Sequence, residues 1–279
     1  MNGNDASRTD WLGNRVELVY DLARNLETSR TEAVGTPHAR TISTVWHATW
    51  RRPEAVSEPK RISRFTYNHV GNVLTHSVQA TSDLTGASGL SATPIGLART
   101  TTYTYNTVGQ VLTITGPRTD VADVTTMTYD VSTGALATMT NALSQTTSFS
   151  DFDAHARPRR IATPDGKSVL ISYTERGLVN TTSVTAGGAT LKTTHNYDAA
   201  GLLISVTKPD KSVVTFGYDD AHRLTTISDQ LGNKIEYELD ITGNRLGERT
   251  RDPQGTLVKE VTRAYNTLNM LIMMNGARQ

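Results

Sequence analysis

The sequence has 279 residues, a net charge of +1, 37% hydrophobic and 20% charged residues, and no cysteine. That balance disfavours disorder, gives no global pull toward nucleic acid or an anionic membrane, and excludes disulfides, thiolate chemistry and cysteine-ligated zinc. The first fifteen residues lack the basic-then-apolar order of a signal peptide, and no apolar stretch approaches the ~20 residues of a membrane helix.

Residues 1–9 are polar and are expected to fray. Asp10-Trp11-Leu12-Gly13-Asn14 then has the form of Asp229-Gln230-Leu231-Gly232-Asn233, a turn between strands. Val16, Leu18 and Tyr20 alternate, as one face of a strand does. Asp21 to Glu27 has the look of a helical turn, but its place in the repeat described next favours a strand connection.

Tyr20 opens a series of anchors that continues through Trp46, Tyr67, Tyr105, Tyr129, Phe152, Tyr173, Tyr197, Tyr218, Leu239 and Tyr265. Successive spacings are 26, 21, 38, 24, 23, 21, 24, 21, 21 and 26 residues, so residues 1–279 form a single array of about eleven units. Alternating strand residues lead into each anchor, and an Asp or Asn commonly follows it. Four residues beyond the anchor stand Gly71, Gly109, Gly177, Gly201 and Gly243, with His222 or Asn269 elsewhere. These residue types tolerate positive φ, and Asp or Asn can accept the backbone N–H groups of a tight turn. A second turn, such as Pro164-Asp165-Gly166 or Pro209-Asp210-Lys211, falls about midway to the next anchor, so each unit reads as a two-stranded hairpin.

Three stretches depart from the pattern. Trp46-His47-Ala48-Thr49-Trp50-Arg51 replaces the usual phrase; Trp46, Trp50 and Arg51 offer a stacking platform for a sugar or base, against a simpler role as packing at a loose turn. Residues 81–98, rich in Thr, Ser, Gly and Ala, account for the 38-residue spacing and read as an inserted loop. They are expected to be unprotected and to be cut first by proteases, with slowest amide exchange in the strands leading to Tyr173, Tyr197 and Tyr218. At Tyr129, Gly134 falls one step late, which predicts a bulge or wider turn.

Chemistry-bearing constellations are sparse. Asp151, Asp153 and His155 alternate, but Asp153 holds a turn position, and the other histidines have no zinc-like spacing. There is no Gly-x-Ser-x-Gly elbow and no phosphate-binding glycine loop. Neither a catalytic centre, a cofactor nor a metal is expected.

Tyr-Asp-x-x-Gly-x-Leu at this period, with Pro-Asp-Gly-type turns between, resembles the YD repeat of Rhs proteins, Tc-toxin cocoon subunits and teneurins. The resemblance runs from about Asp10 to about Asn275. It implies an all-β fold in which hairpins add side by side into one long, strongly curved antiparallel sheet, the wall of a hollow shell. At ~4.8 Å per strand, about twenty strands make a ribbon of roughly 100 Å, on the order of one turn of such a wall. The implied role is structural: a segment of a shell that encloses a toxin or effector domain, with the rest of the shell and the cargo as partners. It also implies a toxin exported or displayed in a bacterial secretion setting, by a signal-independent route or as part of something larger. In some Rhs shells an Asp-Pro-x-Gly-like sequence forms an aspartyl autoprotease; Asp252-Pro253-Gln254-Gly255 has that form, but its offset from Leu239 matches an ordinary hairpin turn. The second reading is a cell-surface or glycan-binding module using the loops and the Trp46/Trp50 patch. Uncapped terminal strands predict end-to-end self-association.

Overall fold

A computed structural model describes residues 4–266 and 269–278 of the chain. Twenty-three strands and one short 3-10 turn, Gly89–Ser91, make up the regular structure among these residues. They divide between two compact units, Met1–Asp130 with Leu136–Thr146, and Val131–Ala135 with Thr147–Gln279. Within each unit the described strand ladders are antiparallel and join strands adjacent in sequence.

Both units repeat one local solution. Next to the anchor the ladder shifts: Asn196 faces Ser205 while Tyr197 faces Leu203, so Ile204 is an extra residue in the returning strand. The same bulge occurs at Tyr20, Trp46, Tyr67, Tyr105, Tyr129, Tyr173, Tyr218, Leu239 and Tyr265. The bulge is therefore a property of the repeat, while the wider turn expected at Tyr129 is also present: Tyr129 faces Leu136, one residue further on than the Tyr105–Val111 pairing. An extra residue bends and twists a strand locally, so one bulge per hairpin imposes the bend at regular intervals.

These units have little core. The buried apolar side chains among the described residues are Leu18, Leu26, Ala55, Ile62 and Ala92 in the first unit and Val261 in the second. Hydroxyl pairs run across the strands on the face opposite the anchors: Thr66 to Thr75 at 2.7 Å, Thr104 to Thr113 at 2.6 Å, Thr128 to Thr138 at 2.6 Å and Ser172 to Thr181 at 2.7 Å. Each pair satisfies both partners without a charge, a cross-strand contact worth about 0.2–1 kcal/mol.

Two expectations from the sequence are corrected. Residues 1–9 do not fray throughout: Ser7–Thr9 is a strand paired with Arg15–Glu17, and residues 1–3 lie outside the described residues. The inserted segment is shorter than 81–98, because Thr81 ends the strand Val73–Thr81 and Pro94 begins the strand Pro94–Tyr105. Nor does residue stretch 82–93 hang free. The Thr85 carbonyl accepts the Thr41 N–H at 2.7 Å, the Asp83 carbonyl accepts Lys60 N–H at 2.6 Å, and the Gly89 carbonyl accepts the Ser57 hydroxyl at 2.8 Å. Asp83 closes the loop by accepting the N–H groups of Thr85, Gly86 and Ser88. The ladder between Arg40–Trp46 and Pro53–Glu58 ends at Ser43 and Ser57, and beyond that end the loop carbonyl of Thr85 supplies the acceptor for Thr41 N–H. Ser57 is 1% exposed under this cover.

Protease susceptibility should therefore fall elsewhere. Residues 118–122 are exposed and outside any strand, so proteinase K is expected to cut there before it cuts 82–93. Mass spectrometry of the first fragments checks this, and an initial cut within 82–93 would contradict the docked loop.

Candidate functional site

The residues singled out from the sequence converge on a repeated hydrogen-bond register. Each anchor tyrosine with a preceding hairpin donates its phenol O–H to a backbone carbonyl of that hairpin. The pairs are Tyr67 to Pro53 at 2.6 Å, Tyr105 to Val73 at 2.7 Å, Tyr129 to Val111 at 2.7 Å and Tyr173 to Pro158 at 2.9 Å. The series continues with Tyr197 to Val179 at 2.9 Å, Tyr218 to Leu203 at 2.9 Å and Tyr265 to Arg245 at 3.3 Å. Trp46 makes the same link with its indole N–H, to Glu27 at 2.7 Å. The acceptor has a defined place. Val73, Val111, Val179, Leu203 and Arg245 are the residues that face Tyr67, Tyr105, Tyr173, Tyr197 and Leu239 across the bulge. Tyr105, Tyr129, Tyr197, Tyr218 and Tyr265 thus each grip the bulge built by the anchor before them. Each such bond contributes about 0.5–1.5 kcal/mol net. Burial pushes the Tyr67 and Tyr105 phenols up from their ordinary value.

Two anchors cannot take part. Phe152 and Leu239 carry no donor, and Phe152 also lies beyond the end of its strand, Thr146–Ser150. Ring stacking does not connect the series: among the described residues the ring contacts are His47 with Trp50 and Tyr67, Trp50 with Tyr67, and Phe65 with His76.

The turns share one geometry. At Asp219, the backbone N–H donates to Arg223, the His222 N–H returns to the Asp219 carbonyl, and Oδ1 accepts the N–H groups of Ala221 and Arg223. Gly71, Gly109, Gly177, Gly201 and Gly243 hold the left-handed position with φ of 88°, 85°, 84°, 92° and 92°. His222, Asn269 and, in the Phe152 turn, Ala156 occupy it at 61°, 59° and 58°. The second turns opening at Thr163, Lys208, Asp229 and Asp252 repeat the backbone pattern, and in Asp252-Pro253-Gln254-Gly255 the Asp252 Oδ1 accepts from Gln254 and Thr256. Arginines tie neighbouring turns together: Arg24 donates to the His47 and Trp50 carbonyls, Arg176 to Ala199 and Arg223 to Asp240.

The degenerate turn after Trp46 keeps this logic with different atoms. His47 Nδ1 takes the place of the aspartate oxygen and accepts the N–H groups of Thr49 and Trp50. Trp50 stacks on His47 at 4.2 Å between ring centroids and lies against Gly71. Arg51 donates to the Arg24 and Asn25 carbonyls. The platform residues Trp46, Trp50 and Arg51 are thus each engaged in bonds or packing within the first unit. Sequence reading missed His47 as a turn acceptor, although its place directly after an anchor was the available signal.

Turn carboxylates are held well below the usual range by the donors they face. Asp153 is lowered to about 2 chiefly by the Arg157 side chain, Asp165 to about 2 by Lys167, and Asp240 to about 2 by Asn244. Asp151 pairs with Arg160 at 2.9 Å, so both carboxylates of the alternating Asp-x-Asp-x-His stretch face arginines. No cluster suited to a metal occurs among the described residues. A carboxylate with a depressed folded pKa stabilises the fold above its unfolded value of 3.8, and that contribution is lost as pH falls through about 2. Urea midpoints are expected to fall from pH 5 toward pH 2. Asp240→Asn, which keeps Oδ1 as an acceptor but cannot titrate, should flatten part of that slope; an unchanged slope would contradict the assignment.

No helix among the described residues is long and apolar enough to cross a membrane. A search of curated proteins returned no match. The family model for the RHS Repeat matches residues 197–234 and 218–257. Among solved structures, TcdB2-TccC3-Cdc42 aligns over 93% of this chain with a TM-score of 0.73 at 15% identity. TcdB2-TccC3 without its hypervariable C-terminal region aligns over 93% with a TM-score of 0.74 at 14% identity, and TcdB2-TccC3 over 94% with a TM-score of 0.70 at 14% identity. The chain spans 15%, 15% and 17% of those chains. Strand-bulge-turn units recur through both compact units, residues 197–257 match the RHS Repeat, and the chain shares the all-β fold of these TcdB2-TccC3 structures: it resembles the Rhs/YD-repeat proteins.

Proposed function

We propose that this chain is a non-catalytic wall segment of an Rhs-type shell that encloses a toxin or effector domain. The observation carrying this reading is the anchor-to-bulge bond, which couples each hairpin to the one before it and is made by backbone acceptors that any number of hairpins can supply. A wall needs continuity and closure to solvent. Its side chains are spent on that: tyrosines on coupling, aspartates on turns and arginines on turn-to-turn links. Partners under this reading are the remainder of the shell and its cargo.

The strand Leu271–Arg278 is paired along one edge with Leu257–Tyr265, and Leu271, Ile272, Met273 and Met274 are 50–64% exposed. An apolar open edge of this kind also favours association of the isolated chain with a second copy.

The test is protease protection in the gene product that carries this chain. Its cargo region should survive native proteinase K, and Gly177→Val with Gly201→Val should make it digestible by opening the wall. Equal digestion of cargo in both proteins would overturn the reading. So would saturable glycan binding by the chain that is lost in Trp50→Ala.

A further inference from the structure

The position where the anchor series lacks a tyrosine near its C-terminal end has an unusual lining. At the preceding anchor, Tyr218, the residue two before it and its cross-strand partner are both apolar, Phe216 and Ile227. Around Leu239 the partner of Tyr237 is Glu248, and Arg263 stands two before Tyr265. Leu239 fills less space than the phenol found at neighbouring anchors. A cleft of about 590 Å³ opens there, lined by Leu224, Leu239, Arg223, Arg245, Arg263 and Tyr265, together with Gly243. The corresponding cleft beside Tyr197, where both flanking anchors are tyrosines, is about 250 Å³.

The charges in this cleft do not balance. Arg223 is fully engaged: its Nε and Nη2 face Asp219 at 2.8 and 2.7 Å, and its Nη1 donates to the Asp240 carbonyl at 2.6 Å. Arg245 and Arg263, in contrast, share a single oxygen, Glu248 Oε2, at 3.2 and 3.4 Å. Arg245 also lies over the Tyr237 ring at 3.8 Å. Arg263 Nη1 is buried with no hydrogen-bond partner among the described residues. Two guanidiniums on one carboxylate leave one positive charge in excess, and Arg263 and Glu248 are only 18% and 20% exposed. An under-bonded guanidinium removed from solvent favours an added acceptor, and a carboxylate matches guanidinium geometry with two oxygens and one charge.

We propose that the cleft between Leu239 and Tyr265 binds a carboxylate group, held by Arg263 and Arg245. A rotation of the Arg263 guanidinium brings Nη1 to the ligand, which relieves its missing bond. The apolar floor of Leu224 and Leu239 accommodates the carbon skeleton attached to the carboxylate. This inference does not depend on the shell reading.

The experiment is a titration of the 279-residue chain with sodium acetate at constant ionic strength, read by the arginine Nε–H resonances in nuclear magnetic resonance spectra. Arg245 and Arg263 are expected to shift saturably. Arg263→Gln should weaken the response at Arg245 by at least about tenfold, the effect of losing a charge-assisted bond. Leu239→Tyr, which fills the cleft and supplies a donor near the Leu224 carbonyl, should abolish saturation while the backbone amide spectrum stays folded. Arg99→Gln, an exposed arginine far along the sequence, should leave it unchanged. No saturable shift in the wild type, an equal response in Arg263→Gln or Leu239→Tyr, or a response to phosphate without one to acetate would each overturn the assignment.

Discussion

Gly86→Ala should release the docked loop of the first unit and lower its stability by about 2–4 kcal/mol, combining left-handed strain with overpacking. Gly86 has a φ of +79°, and a Cβ there would stand 2.0 Å from the Thr41 carbonyl oxygen. That oxygen belongs to a strand paired with Leu26–Glu32, so it cannot retreat without breaking the ladder. The loop is the softer party. Its undocking sets an upper bound on the cost, because the sheet survives once the loop lets go. Amide exchange at Thr41 and Lys60, whose N–H groups the loop accepts, should accelerate by more than about tenfold, while the strand leading to Tyr105 stays protected. Unchanged exchange at Thr41 and Lys60 would show that the loop is held by other contacts.

Gly201→Val is the second large effect, expected to cost about 1–3 kcal/mol in urea melts. The position has a φ of +92°, and its nearest neighbour for a new Cβ, Leu178 Cδ1, lies at an ordinary 3.6 Å. Backbone conformation, not crowding, therefore sets the cost. A β-branched side chain is among the least tolerant of this region. Asp210→Ala should cost less than Gly201→Val, because Asp210 Oδ1 accepts one exposed N–H, from Ser212, which water can satisfy. Equal losses from the two substitutions would mean that the Gly201 turn is not constrained as described.

Much of this architecture was legible because it is written in a repeated phrase. The position four after each anchor, with its glycine, histidine or asparagine, is dictated by local backbone sterics and can be read without knowing what lies beside it. The Asp252 turn could be assigned by the same offset. What escaped reading depends on partners distant in sequence. Nothing in residues 82–93 announces that their carbonyls will complete a ladder at Thr41 and Lys60; the composition of a docked loop and of a free one is the same. The phenol contacts were also hidden. A row of aromatic residues invites a stacked ladder, yet the bulge places the previous hairpin's carbonyl within reach of each hydroxyl. Ala156 at a φ of 58° shows the limit of residue-type rules, since the neighbouring Asp153–Arg157 pair supports a turn that alanine alone would not suggest.

The phenol bonds have a direction. In every case the donor lies later in the chain than its acceptor, and the acceptor sits in the hairpin just completed. By this bond a hairpin is latched against finished structure, whereas the donors of Thr41, Ser57, Lys60, Arg24, Arg176 and Arg223 wait for acceptors made later. Contacts remain local however many units follow, so the search for each new partner need not lengthen with the chain. An array of this kind can be assembled as it leaves the ribosome, one hairpin at a time from the N-terminal end. Leu239 and Phe152 then mark the two steps at which a new hairpin arrives without its hydroxyl latch, and at which assembly should pause longest.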